Sequence, residues 1–268
     1  MQPTRAMLPE DGPARGKGEV MAAENLESVR IAGRDDVRRA ALALRDIARD
    51  LAQMRVRVCH NIAAQQPTTD GEGRDLVELF NCQELTPWWR AIALHSPLPA
   101  ACRYEAEPFW VNEQGFRTLQ PNSFLDAVDL SRFADRALAR AAIVVPVHLP
   151  FAHVGAVSFI PLAPDKDDLT TEFALYGQDL GQYARAFISS YVRVMCRNPH
   201  LPSDSTLSKR EVEVLRWAAI GKTDNEIGTI MSRSRATIRF HMGNASTKLN
   251  CVNRSQTLFK ATQLGYIA

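Results

Sequence analysis

Between residues 37 and 58 the apolar positions Val37, Ala40, Leu44, Ile47, Leu51, Met54 and Val58 recur at steps alternating between three and four. A helix makes a turn every 3.6 residues, so this spacing predicts one long amphipathic helix with a single apolar stripe. Such a stripe either packs the helix on its own domain or forms a coiled-coil-like dimer seam. The segment GEGRDLVELF (71–80) predicts a second, shorter helix after a glycine-rich turn. From about residue 87 to 162 the pattern changes. RYEAEPFWV, AAIVVPVHL and HVGAVSFIPL are β-branched or aromatic and punctuated by Pro and Gly, which predicts strands. NSFLDAVDLSRFADRALARA (122–141) reads as a helix between them. Leu169, Phe173, Tyr176, Leu180, Tyr183, Phe187, Tyr191 and Val194 then mark one face of another long helix. This order of elements argues for an α/β sandwich, a mostly antiparallel sheet flanked by helices. Residues 1–33, rich in Gly, Pro and charge, read as a disordered extension. The sandwich then occupies 34–195, and the proline-containing stretch 196–206 is the linker.

Past the linker, helix boundaries are written into the sequence. Ser208 and Glu211 stand three apart, as do Thr223 and Glu226, and each pair is a capping box opening a helix. Ser234 caps a third helix running to about Leu249, and a fourth extends from near Ser255 to Gly265. Two short helices joined by a tight turn, the second one basic, describe a helix-turn-helix. On the third helix Ile238, Met242, Ala245 and Leu249 fall within about 60° of one another and form the buried stripe. Arg233, Ala236, Arg239, Phe240, Gly243, Asn244 and Thr247 lie on the opposite side, facing a groove. Arg235 and Lys248 flank the stripe within reach of phosphates.

Charge sharpens that picture. The net charge of +2 is uninformative, but residues 203–268 hold ten Lys/Arg against five acids, leaving the rest of the chain at about −3. No carboxylate follows Glu226 in the last 42 residues, where six cations remain. A basic, acid-free module on a mildly acidic body is the electrostatic footprint of a nucleic-acid-binding domain. Apolar content of 46% and charged content of 23% suit a soluble globular protein. No apolar run approaches the roughly 20 residues of a membrane span, and the first 20 residues lack the apolar core of a signal peptide. Five cysteines, widely spaced and never in a C-x-x-C pair, suit reduced thiols in a cytoplasmic protein. His95, His148 and His153 have no metal-site spacing. There is no G-x-S-x-G, phosphate loop or paired-carboxylate motif, so neither enzyme activity, cofactor nor metal is expected.

Residues 203–268 resemble the DNA-binding domain of the LuxR-type transcription regulators. The resemblance rests on Leu207, Arg210, Glu211, Val214, Leu215, Gly221, Lys222, Glu226, Ile227, Thr237, Ile238, His241, Lys248, Leu249, Asn253 and Arg254. It implies an all-α four-helix domain whose third helix reads the major groove of double-stranded DNA and whose fourth helps dimerisation. Lys222, Thr223, Ser234 and Thr237 join the expected DNA contacts on this ground. The sequence departs from the family at Gly228, where alanine is usual, and at Ala245, where isoleucine is usual. Both departures predict slightly loose packing.

The first domain resembles, more loosely, the autoinducer-binding domain of quorum-sensing members, through EPFWV and RAAIVVPVHLPFAHVGAVSFIPL. The resemblance implies a sensory and dimerisation domain for an acyl-homoserine lactone or another small-molecule signal. Trp88, Trp89, Tyr104, Phe109, Trp110 and Ser158 are the expected pocket residues. Large apolar residues of this kind serve as plain core just as readily. The family's aspartate, which accepts the ligand amide, is missing from HSPLPAACRYEAEPFW. The expectation is therefore a different ligand or none. A phosphorylatable receiver domain is excluded because residues 1–80 read as helical or disordered.

Overall fold

In a computed structural model, residues 26–63, 68–76, 79–80, 96–196 and 206–268 of the chain are described. They divide into two compact units: one takes the described residues up to 147 and 154–196, the other takes 148–153 and 206–268.

The first unit is an α/β sandwich around a five-stranded sheet of order β1-β5-β4-β2-β3. Helix α1 (Asp36–Ala52) precedes β1 (Met54–Cys59), and α2 (Pro97–Ala101) precedes the hairpin of β2 (Phe109–Asn112) and β3 (Gly115–Arg117). A 3-10 turn (Ser123–Ala127) and α3 (Phe133–Ala137) lead to β4 (Ala141–Leu149), β5 (His153–Pro161) and the 26-residue helix α4 (Thr170–Met195). β1 runs antiparallel to β5, with Arg55 opposite Ile160, Arg57 opposite Ser158 and Cys59 opposite Ala156.

Strand alternation assigns the two faces. Met54, Val56 and Val58 are buried on one face, and α1 packs on β1 and on α4. Close approach of α4 requires glycine at 155, where a Cβ would stand 2.7 Å from a methyl of Ile188. On the other face Leu98, Cys102, Phe109, Val111, Phe133, Val144 and Ile160 form one apolar cluster beneath α2, the 3-10 turn and α3.

Several sequence expectations change here. The long helix over 37–58 ends at Ala52, because Gln53 is left-handed (φ 53°) and its N–H closes back on Arg49 O. Met54–Cys59 is a strand, so residues 1–80 are not wholly helical or disordered. The expected helix over 71–80 is a turn where it is described. There Asp70 accepts from the backbone of Glu72 and Arg74, and Thr69 bridges Asp75. The helix expected over 122–141 is two short pieces separated by residues 128–132. Of RYEAEPFWV, only its last three residues enter β2. The disordered extension expected over 1–33 does not hold for its last residues: Val29 and Ile31 are fully buried, and Ile31 N–H donates to Ser190 Oγ at 3.1 Å. The preceding residues 1–25 and linker residues 197–205 lie outside the described ones.

The second unit follows the sequence closely. Helices α5 (Lys209–Ala219), α6 (Asp224–Ile230), α7 (Arg235–Lys248) and α8 (Arg254–Gln263) surround a core of Val214, Leu215, Ile227, Ile238, Met242, Ala245, Leu249 and Ala261. Both capping boxes are complete, and Ser234 and Asn253 cap α7 and α8. Gly221 and Gly265 take positive φ just past α5 and α8, where a side chain would be strained. Among the described residues no helix is long and apolar enough to cross a membrane.

Candidate nucleic-acid interface

Charge pairing decides which cations of the second unit are available to a ligand. Each described carboxylate is spent on a cation: Glu211 on Lys248 at 2.8 Å, Glu213 on Arg210 at 2.7 Å, Asp224 on Arg254 at 2.6 Å and Glu226 on Lys222 at 3.7 Å. Lys260 donates to the carbonyl of Leu249. The guanidinium groups of Arg235 and Arg239 have no ion pair or hydrogen bond with a described residue, and that of Arg233 bonds only the adjacent Ser232 carbonyl. All three are exposed. They sit on the first two turns of α7 or just before it, where free backbone N–H groups and the helix dipole add further positive potential.

Around these arginines the surface is shaped for close approach. Phe240 is 63% exposed and meets the His241 ring edge-on at 5.8 Å. Gly243 is exposed, and a Cβ there would meet nothing within 4 Å. Ala236 and Thr247 are exposed and Asn244 half-buried on the same side. A cleft of about 390 Å³ beside α7 is lined by Lys222, Thr223, Arg235 and Arg254 among others.

Four expected contacts have structural duties. Thr223 and Ser234 accept the N–H groups of Glu226 and Thr237, and the Ser234 and Thr237 hydroxyls lie 2.9 Å apart. Lys248 does not reach outward; Glu211 holds it at the junction of α5 and α7. Burial alone would raise the Glu211 pKa, but the Lys248 hydrogen bond and the Ser208 N–H bring it below the ordinary carboxylate value. Arg254 clamps α8 to the start of α6 through Asp224 and the Lys222 carbonyl. The expected loose packing at Gly228 is not found. A Cβ there would stand 2.7 Å from the carbonyl oxygen of Arg233, and Arg233 N–H closes on Gly228 O at 2.8 Å. Glycine is the residue that lets the turn fold this tightly onto α6.

The described members of the expected ligand pocket do not all share one face of the sheet. Trp88 and Trp89 lie outside the described residues. Tyr104 is 46% exposed. Phe109 and Trp110 are adjacent on β2 and point to opposite faces: Phe109 into the apolar cluster, Trp110 beneath the Arg117 guanidinium. Ser158 lines a cavity of about 30 Å³ with Arg57, Cys59, Ser96 and Leu98. Ser96 Oγ is buried with no partner among the described residues. Arg57 and Ser96 carry no pattern signal: the register of β1 on β5 sets Arg57 beside Ser158, and Ser96 is placed by the fold on the same cavity. Burial pushes the Cys59 thiol up to about 12, which leaves it protonated and unreactive.

Two capped helices joined by a tight turn, with three unneutralised arginines on or just before the second, define a helix-turn-helix DNA-binding domain. Residues 205–261 match the model of the bacterial regulatory proteins of the luxR family, and this C-terminal domain belongs to that family. The chain is 51% identical over 63 residues to the HTH-type quorum sensing-dependent transcriptional regulator VjbR of Brucella abortus, covering 24% of each chain. It is 31% identical over 163 residues to the regulator RpaR of Rhodopseudomonas palustris, covering 59% of this chain and 65% of that one. The match thus spans about a quarter of VjbR and just under two thirds of RpaR. These relatives are transcriptional regulators rather than enzymes. Escherichia coli SdiA aligns over 94% of this chain and 99% of its own, with 21% identity and a TM-score of 0.46.

Proposed function

We propose that the chain is a LuxR-type transcriptional regulator that binds a two-fold DNA operator as a homodimer. The observation that carries this reading is the cluster of Arg233, Arg235 and Arg239 left without counter-charges on the exposed side of α7. One small helix-turn-helix supplies few contacts, so two copies on two half-sites give a specific affinity. In this reading Arg233 and Arg235 hold phosphates, as does Lys222 once DNA displaces Glu226. Arg239 reads a base edge, while Phe240 and Asn244 lie against the groove floor. An exposed aromatic ring there can press on a thymine methyl. Thr223, Ser234, Thr237 and Lys248 act by holding the helices that carry these groups.

An operator recovered by selection from random DNA is expected to show two half-sites about 34–36 Å apart, one helical turn, or a multiple of it. A footprint over a single half-site would overturn the dimeric reading. Gly243→Ala separates stability from recognition. The substitution meets no atom, so the helix gains roughly 1 kcal/mol. The added methyl holds the backbone off the DNA, and operator affinity falls roughly tenfold.

In the same proposal the first unit senses a small molecule, an acyl-homoserine lactone or a different signal, and sets the geometry of the dimer. VjbR and RpaR are by name quorum sensing-dependent, which supports this reading. A second reading, a constitutive dimer acting without ligand, is favoured by the lack in HSPLPAACRYEAEPFW of the family's aspartate that accepts the ligand amide. Thermal unfolding with a panel of acyl-homoserine lactones and aryl analogues decides between them. A rise in Tm with any compound supports the sensor. No rise, with folded protein produced in their absence, supports the ligand-free dimer.

A further inference from the structure

Two arginines alternate on β1, Arg55 and Arg57, and both face the side of the sheet that carries the apolar cluster. Their fates differ. Arg57 extends to the end of α3, where its two terminal nitrogens donate to the carbonyls of Ala137 and Leu138 at 2.6 and 2.9 Å. Those carbonyls are the orphan acceptors that a helix C-terminus leaves, so Arg57 is explained by the fold.

Arg55 has no such account. It lies opposite the buried Ile160 in the strand register, its guanidinium makes no hydrogen bond or ion pair with a described residue, and its Nε is fully buried without an acceptor among them. A buried donor left unpaired is costly, the more so on a charged group. Beside it opens a cavity of about 230 Å³, lined also by Leu138, Arg140, Pro161 and Lys166. Among the described residues no carboxylate lines this cavity. Arg140 is held only loosely, 3.8 Å from the exposed Asp165, while Lys166 pairs with Glu172.

We propose that this cavity is a binding site for a small oxyanion, a carboxylate or phosphate group, received by Arg55 and Arg140. The guanidinium fork of Arg55 matches two oxygens of such a group, and its buried Nε–H is the donor an oxyanion satisfies. Lys166, already paired with Glu172, borders the cavity without adding net charge. The volume is several times the roughly 30 Å³ of one water, enough for the anionic head of a metabolite with a few further atoms. The site lies wholly within the first unit and does not depend on the DNA-binding reading.

Thermal unfolding of the full chain tests it, with inorganic phosphate and acetate as separate probes against NaCl of equal ionic strength. At about five times its Kd, the anion that fits raises Tm saturably by about 2–4 °C. A shift with phosphate alone names a phosphate ligand, and a shift with acetate names a carboxylate. Arg55→Met abolishes the shift. Arg140→Met, at an exposed position that leaves the fold intact, weakens it at least several-fold and carries the test if the first variant unfolds. No shift beyond NaCl with either anion overturns the proposal. So does an equal shift in the variants, which would place the anion elsewhere, such as on α7.

Discussion

Replacing Arg239 by alanine weakens operator binding by about 1–3 kcal/mol and changes affinity for random DNA much less. Arg239 is exposed, has no ion pair with a described residue, and stands beside Phe240 and Gly243 on the side of α7 opposite its buried stripe. A bidentate contact to one base pair is lost for the operator alone, whereas phosphate neutralisation is shared by every sequence. Equilibrium binding to the selected operator and to a scrambled duplex at one salt concentration measures the difference. Equal losses on the two duplexes would reduce Arg239 to a phosphate contact and sink its role as the base reader.

Glu211→Ala loosens the second unit by about 2–3 kcal/mol, the other large effect expected. Its side chain is only 4% exposed and does two things at once. It accepts the Ser208 N–H at 2.7 Å, completing the capping box of α5, and it holds Lys248 at the end of α7. Losing the cap costs about 1 kcal/mol. Losing a largely buried carboxylate from an ion pair costs more, moderated here because Lys248 is 36% exposed and regains water. Amide hydrogen exchange in α5 and α7 of the full chain reads this local stability.

The pH dependence has a definite sign. The Glu211 pKa lies below its ordinary value of 4.5 in the folded state, so its stabilisation is present above pH 4.5 and is lost as pH falls through the lowered folded value. Glu211→Gln keeps the shape and flattens that acid slope. Unchanged protection in both variants would show that the contact contributes nothing.

The two units differ in how far local pattern could describe them. Every helix of the second unit begins at a side-chain cap within three residues of the N–H it serves, as with Ser208, Thr223, Ser234 and Asn253. The information sits inside a single turn, so the sequence states it directly. The first unit has no such markers at the end of α1. Leu51, Met54 and Val58 continue a helical stripe, yet Met54, Val56 and Val58 also alternate as a strand. The competition is settled by the left-handed turn at Gln53 and by pairing with β5 about a hundred residues away. The placement of the expected pocket residues was hidden for a related reason. Phe109 and Trp110 belong to one apolar run, and only the pleat of β2 sends them to opposite faces.

By itself the sequence determined the four helices of the DNA-binding domain, their caps and buried stripe, its excess of positive charge and its family. It also determined that the first domain is a sheet flanked by helices. All of these depend on residues within a few positions of each other. Tertiary structure alone decided which charges are free to act. Lys248 meets Glu211 across 37 residues, Arg254 meets Asp224 across 30, and Arg57 meets the end of α3 across 80. Pairings over such separations are set by how helices and strands pack, not by any local pattern. What they leave over, Arg239 on one unit and Arg55 on the other, is therefore visible only in the folded chain.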